Sequence, residues 1–250
     1  MLIIKNWTGR LGNNIQQLVG CIYFANYFGH NIIKFPNHNF FFGNLLVLNI
    51  KDKNNPDVYD DFFYIEKLNK KYGIPVDFFI NEKIPLGCLN KIFKINSNLE
   101  FDKNDLLIHI RSGDIFSNNP HPGFVPPNFS YYKNIITSKN WNNIYLIAED
   151  TKNPLINKLI QNFNVIFKLQ SLEEDIKMII KFKNICFGVG TFIPSLLLFN
   201  NNIENIYYPT YCHRHMINYL ECNKFIIDIN NYIKKGEWRN TPEQHILLKR

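Results

Sequence analysis

The sequence has few cysteines, and their arrangement argues against two structural roles. Its five cysteines are odd in number and widely spaced, and they include no CxxC pair. This distribution argues against a disulfide framework and a zinc site, and it favours a reducing compartment. No apolar segment approaches the length of a membrane-spanning helix. The apolar run in the opening MLIIKNW is too short for a signal peptide. We therefore expect a soluble, cytoplasmic protein with no transmembrane segment.

The sequence also lacks the basic stripe that dedicated nucleic-acid-binding proteins usually carry. Its formal net charge is +7 and its pI is near 9.0, values that favour anionic partners. The lysines and arginines are nevertheless scattered, and the tightest clusters are pairs such as Lys70-Lys71 and Lys234-Lys235. We expect a solvated basic surface and no nucleic-acid partner. A non-catalytic basic nucleotide- or nucleic-acid-binding α/β protein is the alternative to an enzyme.

The N-terminal part predicts a strand, a turn, a helix and a second strand. The strand covers 2–7, the glycine-containing turn 8–14, the helix 15–28 and the second strand 31–35. A loop of this kind at a helix N-terminus is a ready anion site. Residues 37–100 are less regular, and we place a boundary in the polar stretch 95–103. The resulting domains are 1–100 and 101–250, a division compatible with a chain of 250 residues.

After this boundary, the sequence predicts alternating strands and helices as far as residue 208. Apolar runs predict strands at 106–110, 143–148, 165–169, 185–187 and 203–208, with helices between them. Ser130 is expected to cap the first of these helices, and Ser171 with Glu174 forms a capping box for a later one. The alternation predicts an α/β fold with a doubly wound parallel sheet in the C-terminal half.

The centre of that sheet is the apolar strand that ends in the polar residues His109 and Arg111. Residues two apart share a face of a strand, so both side chains project from one side at its carboxyl end. Two interpretations are open. Arg111 and Asp114 form an internal ion pair beside a core histidine, or Arg111 holds a phosphate while His109 contacts a base or ribose.

Other polar residues are predicted at the same edge of the sheet. Glu149 and Asp150 end the next strand, the loop 188–191 follows a later strand, and Asp175 lies on the helix before that loop. Ligands of open α/β sheets bind at the carboxyl ends of the strands. The convergence of these features favours the phosphate-binding interpretation of Arg111.

These residues lie in motifs that resemble those of a known enzyme family. HIRSGD (109–114) resembles the H-x-R-R-x-D motif of the fucosyltransferase superfamily that includes the α1,2-, α1,6- and protein O-fucosyltransferases. GRLGNN (9–14) is similar to their N-terminal glycine loop, YLIAED (145–150) to their second motif and GVGTF (188–192) to their third. The resemblance implies an inverting, metal-independent GT-B enzyme that uses a GDP-sugar donor, a glycan acceptor and no cofactor. Both halves of such an enzyme are Rossmann-like.

The resemblance also implies roles for single residues. Arg111 matches the arginine that binds the β-phosphate, His109 the histidine beside the nucleotide, and Asp175 the aspartate that reads the guanine edge. The remaining matches are to residues around the nucleotide sugar: Arg10, Gly12, Asn13, Asp150, Gly190, Thr191 and Phe192. Gly190 and Thr191 would present donors to the diphosphate, whereas Arg10 and Asn13 would lie near the phosphate or the acceptor.

The sequence departs from the family pattern at several points. Ser112 stands where the second arginine of the motif usually lies, so fucose and another GDP-linked deoxysugar are both open as donors. Asp114 is taken as a catalytic residue, and either it or His121 can accept the acceptor proton. No metal-binding D-x-D is evident, and we interpret Asp60-Asp61 as surface residues. The chain is short for two full Rossmann-like domains, which implies a trimmed N-terminal half.

Overall fold

The computed structural model of the protein divides into two compact units. Unit 1 covers Met1–Ile95 and unit 2 covers Asn96–Arg250. The structure describes residues 1–75, 86–212, 216–230 and 232–250. The division falls at the start of the polar stretch in which the sequence places a boundary.

Unit 1 contains a mixed sheet of four strands with the order β3-β2-β1-β4. β1 is parallel to β2 and β4, whereas β2 and β3 are antiparallel. Its strands are β1 (Leu2–Ile4), β2 (Ile32–Lys34), β3 (Leu45–Val47) and β4 (Val58–Asp60), and its helices are α1 (Leu11–Phe28) and α2 (Ile65–Tyr72), followed by a 3-10 turn (Leu86–Lys91).

Helix α1 begins earlier than the sequence suggests. The predicted start at Ile15 is wrong, because the helix begins at Leu11 and includes Gly12 and Asn13. Leu11 is buried and lies one turn before Ile15, so it extends the same apolar stripe towards the sheet. The end of the helix is as expected, with Gly29 in the left-handed conformation (φ 76°) after Phe28.

Unit 2 contains a parallel sheet of six strands with the order β10-β9-β8-β5-β6-β7. The predicted parallel sheet is thus confirmed. Its strands are β5 (Leu106–His109), β6 (Ile144–Ile147), β7 (Val165–Phe167), β8 (Asn184–Phe187), β9 (Asn205–Pro209) and β10 (Asn223–Ile227). Its helices are α3 (Phe129–Ile136), α4 (Leu155–Asn162), α5 (Leu172–Ile179), α6 (Phe192–Leu196) and α7 (Pro242–Leu248), with short 3-10 turns at Gly113–Phe116, Leu197–Phe199 and Ile217–Tyr219.

Four helices of unit 2 form two packed pairs, one for each half of the doubly wound sheet. The chain runs from β5 outwards to β7, returns to β8 beside β5, and then runs outwards the other way. Right-handed crossovers place the helices of the two halves on opposite faces of the sheet. Helix α3 packs against α4, and α5 packs against α6. Leu106 and Ile108 of β5 lie in one core cluster with residues of α3, α4 and α7.

The structure of unit 2 corrects one predicted helix cap, confirms another and adds two elements. Asn128, not Ser130, caps α3, because its side chain accepts from the Tyr131 backbone N–H at 3.2 Å. The capping box of Ser171 and Glu174 is confirmed. Strand β10 and helix α7 were not expected. β10 is an edge strand with mostly exposed side chains, although Phe225, Ile226 and Ile227 form a short apolar run.

We expect Gly20→Ala to destabilise unit 1. A Cβ atom at Gly20 in α1 would lie well inside contact distance of the Phe62 backbone oxygen. A backbone atom cannot move aside as the end of a flexible side chain can. Overpacking of this kind costs about 1–3 kcal/mol and exceeds the gain in helix propensity. The measurement is the free energy of unfolding in urea. Gly87→Ala is the matched control, because nothing lies within 4 Å of its added Cβ. Equal stability of the two variants would contradict the prediction.

Candidate functional site

The order in which the chain adds strands to the sheet of unit 2 reverses between β5 and β8. These two neighbouring strands end side by side. His109 at the end of β5 is in register with Phe187 at the end of β8. The loops that follow these strands therefore start next to each other at the carboxyl edge. Ligands of open parallel sheets bind at such a point. The predicted residues His109, Arg111 and Gly190 are brought together here.

The Arg111 guanidinium is held between a carboxylate, an aromatic ring and a glycine. Its Nη2 atom donates to Oδ2 of Asp114 at 2.9 Å and to Oδ1 at 3.2 Å. Its central carbon lies 4.0 Å from the centre of the Phe124 ring, a cation–π contact. A Cβ atom at Gly190, where φ is 115°, would lie 2.7 Å from Nη1. Only a glycine allows the loop after β8 to approach Arg111 this closely.

The geometry of Arg111 bears on both interpretations, and the phosphate-binding one stays a prediction. The ion pair with Asp114 is present, as the structural interpretation requires. The side chain of Arg111 is nevertheless 19% exposed and that of Asp114 is 46% exposed, so the pair opens to water. A guanidinium offers five N–H donors, and the Asp114 contacts engage only its Nη2 and Nε edge. The Nη1 edge faces the glycine of the neighbouring loop.

A buried polar network fixes the backbone on which Arg111 stands. Ser112 is fully buried; its Oγ atom donates to Oδ1 of Asp150 and accepts from the Asn153 backbone N–H at 2.9 Å. The Asn153 side chain donates to the Arg111 carbonyl oxygen at 3.0 Å, and the Gly113 N–H donates to Asp150 at 3.2 Å. The loop after β6 therefore holds the loop after β5.

Asp150, which the sequence predicts as a nucleotide-sugar ligand, directs its carboxylate into this network. Its Oδ1 atom accepts from Ser112, Gly113 and the Lys152 N–H. Burial acts to raise the pKa of Asp150, but the bonds from Ser112, Lys152 and Gly113 outweigh it and hold the pKa below its usual value. The structure gives Asp150 a positioning contact beneath Arg111, and its contact with a ligand stays a prediction.

Two residues near Arg111 were not identified from the sequence. Asn153 immediately precedes Pro154, and this Asn-Pro pair at a helix start is a signal that indicates a side-chain bond to the backbone. Phe124 lies in a proline-rich loop and carries no comparable signal. His121, the alternative proton acceptor, is exposed; its ring lies 4.8 Å from Phe124 and its Nδ1 accepts from the Gly123 N–H at 3.1 Å.

The His109 ring is neutral at physiological pH. Burial of the ring is the main cause, and the positive charge of Arg111 adds to it; together they lower the pKa of His109 to about 3. The ring of Phe192, at the start of α6, lies 5.5 Å away. Thr191 precedes that helix, which has only five residues.

Asp175 lies in the first turn of α5, which follows the carboxyl end of β7. The side chain is buried and accepts from the Gln170 amide at 2.9 Å. Burial raises the pKa of Asp175 to about 6, although the Gln170 bond acts in the opposite direction. The carboxylate is therefore charged at neutral pH and becomes protonated in mildly acidic solution.

The predicted residues Arg10, Gly12 and Asn13 belong to unit 1. Arg10 is the N-cap of α1 in an extended conformation, and its carbonyl oxygen accepts from the Asn13 N–H at 2.9 Å. Gly12 is buried in the first turn of the helix. These residues follow the carboxyl end of β1, and their roles toward a nucleotide sugar stay predictions.

Metal ligands, cysteines, apolar helices and cavities bear on other kinds of chemistry. Within 1–75, 86–212, 216–230 and 232–250, no group of three or more histidine, cysteine or acidic side chains is placed to hold a metal ion. All five cysteines are free thiols. Among the helices of the described part, none combines the length and apolar character needed to cross a bilayer. Two open cavities lie in the described part of unit 1, and Arg111 lines neither.

Comparison with protein-family models, with curated proteins and with solved structures finds no match to this chain. The functional assignment therefore depends on the motifs and on the geometry around Arg111.

We expect His109 to make folding less favourable in acid. The unfolded chain binds a proton near pH 6.5 and the folded chain only near pH 3, so stability is lost as pH falls through this window. Between pH 7.5 and 5.0 the loss from this residue is about 2 kcal/mol. His109→Gln is expected to remove that part of the pH dependence, measured by denaturant unfolding at both pH values. The exposed His121→Gln is the control; a wild-type slope in His109→Gln would refute the prediction.

Proposed function

We propose that this chain is an inverting glycosyltransferase that moves a deoxyhexose from a GDP-sugar to a hydroxyl group of a glycan. Fucose is the first candidate sugar, and the proposed reaction uses neither a metal ion nor a cofactor. In this proposal the units are the two Rossmann-like halves of a GT-B enzyme, with unit 2 taking the donor and unit 1 the acceptor. The observation that carries the proposal is the partly exposed Arg111 guanidinium at the switch point of the parallel sheet.

The proposed reaction places its greatest electrostatic demand on the leaving diphosphate. The acceptor oxygen attacks the anomeric carbon from the face opposite the donor phosphate, and the bond to the β-phosphate oxygen breaks with its electron pair. Negative charge then grows on GDP while positive charge grows on the sugar. Fixed cations and N–H donors stabilise such a leaving group without reorganisation. Arg111 supplies the cation, and the backbone of the loop 188–191 supplies further donors.

The proton of the acceptor hydroxyl needs a base near the same point. Asp114 is assigned this role because its half-exposed carboxylate lies beside the phosphate-binding guanidinium. His121 is the alternative, since its exposed ring packs on Phe124, which in turn contacts Arg111. His109, kept neutral by its surroundings, is assigned a hydrogen bond to the nucleotide.

Guanine recognition is assigned to Asp175. A carboxylate accepts two hydrogen bonds from the N1–H and N2–H₂ edge of guanine, and pyrimidine bases do not present that pair of donors. Helix α5, which carries Asp175, packs against α6, which begins two residues after Gly190. This contact supports a nucleotide position between the base reader and the diphosphate loop.

Arg111→Ala is expected to lower transfer from the GDP-sugar by about 10²- to 10³-fold, as loss of a fixed transition-state donor does elsewhere. Arg111→Lys is expected to recover little, because an ammonium group cannot replace the planar fork. The measurement is nucleotide release from a panel of GDP-sugars with a mixed glycan acceptor.

Arg250→Ala is the control for this experiment, since Arg250 is an exposed arginine at the C-terminus. Circular dichroism checks that each variant folds. Equal turnover by wild type and Arg111→Ala would remove the assignment. Salt-sensitive nucleic-acid binding without turnover of any nucleotide sugar would favour the non-catalytic alternative.

GDP is expected to bind at least about tenfold more tightly than UDP, dTDP or ADP, and Asp175→Asn is expected to abolish that preference. Affinity for GDP should also weaken below about pH 6, because protonation of Asp175 removes the acceptor. His109 titrates well below this window. The terminal phosphate of GDP itself takes up a proton at about pH 6, so the contribution of Asp175 is the part of the pH dependence that Asp175→Asn removes. Isothermal titration calorimetry at pH 7.5 and pH 5.0 measures both effects.

Glu173→Gln is the matched control for Asp175→Asn, because Glu173 is an exposed acid in the same helical turn. A preference for a pyrimidine nucleotide, or an unchanged preference in Asp175→Asn, would contradict the role given to Asp175.

A further inference from the structure

Unit 1 has a topological switch point of its own. The chain leaves β1, forms α1 and returns to β2 on one side, whereas β4 lies on the other side of β1. β1 and β4 are parallel, and Ile4 is in register with Asp60 at their carboxyl ends. The crevice outside such a pair of strand ends is where ligands of open sheets bind.

An open cavity occupies this crevice. Its volume is about 360 Å³, which is within the size range of small-molecule sites. The lining includes residues that follow β1 and residues from the end of β4 and from α2: Lys5, Thr8, Tyr59, Asp60, Asp61 and Lys71. This set combines hydrogen-bond donors, acceptors and one exposed aromatic ring.

The fixed charges of the cavity are balanced. Lys5 and Lys71 carry positive charge, and Asp60 and Asp61 carry negative charge. Asp60 is already neutralised within the protein, because its Oδ2 atom accepts from Lys71 at 2.6 Å and from the Tyr72 hydroxyl at 2.8 Å. A cavity of this kind has no net attraction for a phosphate or a metal ion. It suits a neutral ligand with many hydroxyl groups.

The walls of the cavity are held in place by one buried side chain. Gln17 of α1 is fully buried; its Oε1 accepts from the Thr8 N–H at 2.8 Å. Its Nε2 donates to the carbonyl oxygens of Asn6 at 3.1 Å and Asp61 at 2.7 Å. The segments that follow β1 and β4 are therefore joined through one amide. Such preorganisation lowers the entropic cost of binding.

We propose that this cavity binds a neutral saccharide. The exposed Asp61 carboxylate accepts from two neighbouring hydroxyls, Lys5 donates to sugar oxygens, and the Tyr59 ring packs against the C–H face of the sugar. The Tyr59 side chain is 53% exposed and is therefore accessible to a ligand. The inference deepens the proposed function by giving the acceptor a binding site in unit 1, and to that extent it rests on that function.

The test is saturation-transfer NMR of the full chain with a panel of neutral mono- and disaccharides, followed by titration of the best binder. Glucuronate and inorganic phosphate serve as anionic probes. We expect a neutral sugar to bind in preference to both, and Tyr59→Ala and Asp61→Asn each to weaken that binding by about tenfold. Tyr64→Ala is the matched control, because Tyr64 is 48% exposed and does not line the cavity; it should bind as wild type does.

The proposal is overturned if no neutral saccharide binds at millimolar concentration, if the anionic probes bind better, or if Tyr59→Ala binds as tightly as Tyr64→Ala. Calorimetric titration of GDP in the same samples separates this result from the fate of the donor site. Saccharide binding without GDP binding would support the saccharide site and refute the assigned donor. GDP binding without saccharide binding would support the assigned donor and overturn the saccharide site.

Discussion

A parallel sheet that is buried on both faces confines polar groups to the ends of its strands. In β5 this constraint is strict, since Leu106, Leu107 and Ile108 are fully buried and charge appears only after the strand has ended. A guanidinium at that point is costly to desolvate unless it has a partner. Asp114 and the Phe124 ring provide partners on two sides while leaving part of the cation accessible. The proposed chemistry depends on this compromise between pairing and exposure.

Ser112, which is fully buried, is part of the packing of unit 2. Its buried hydroxyl donates to Asp150 and accepts from the backbone of Asn153, so it joins the loops after β5 and β6. A guanidinium in the same place would need room and countercharge that a serine does not. In the proposed reaction the leaving diphosphate therefore meets one side-chain cation and several backbone donors, and the exact position of that cation matters correspondingly more.

Local patterns predicted the parts of the fold that local interactions determine. The capping box at Ser171 follows from a spacing of three residues. The shared face of His109 and Arg111 stays a prediction, because β5 ends at His109. The contact of Asn153 with Ser112 joins residues far apart in the chain and requires the order of the strands, which no short pattern contains. The same holds for Gly190 against Arg111. Sequence reasoning thus found the residues at the edge of the sheet but not the contacts that fix them there.

The net charge of the chain does not by itself identify the ligand of either unit. The lysines and arginines behind the value of +7 are scattered along the chain, so the groups at each switch point matter more than the total. At the switch point of unit 2, Arg111 faces one half-exposed carboxylate and keeps a guanidinium edge beside the loop after β8. At the switch point of unit 1, two lysines and two aspartates balance. The formal charges of Arg111 and Asp114 also balance, so net charge does not distinguish the two switch points. In the proposed function, the anion is held by the guanidinium edge that the Asp114 contacts do not engage and by backbone N–H donors, because directed charge-assisted hydrogen bonds can bind a phosphate without an excess of positive charge.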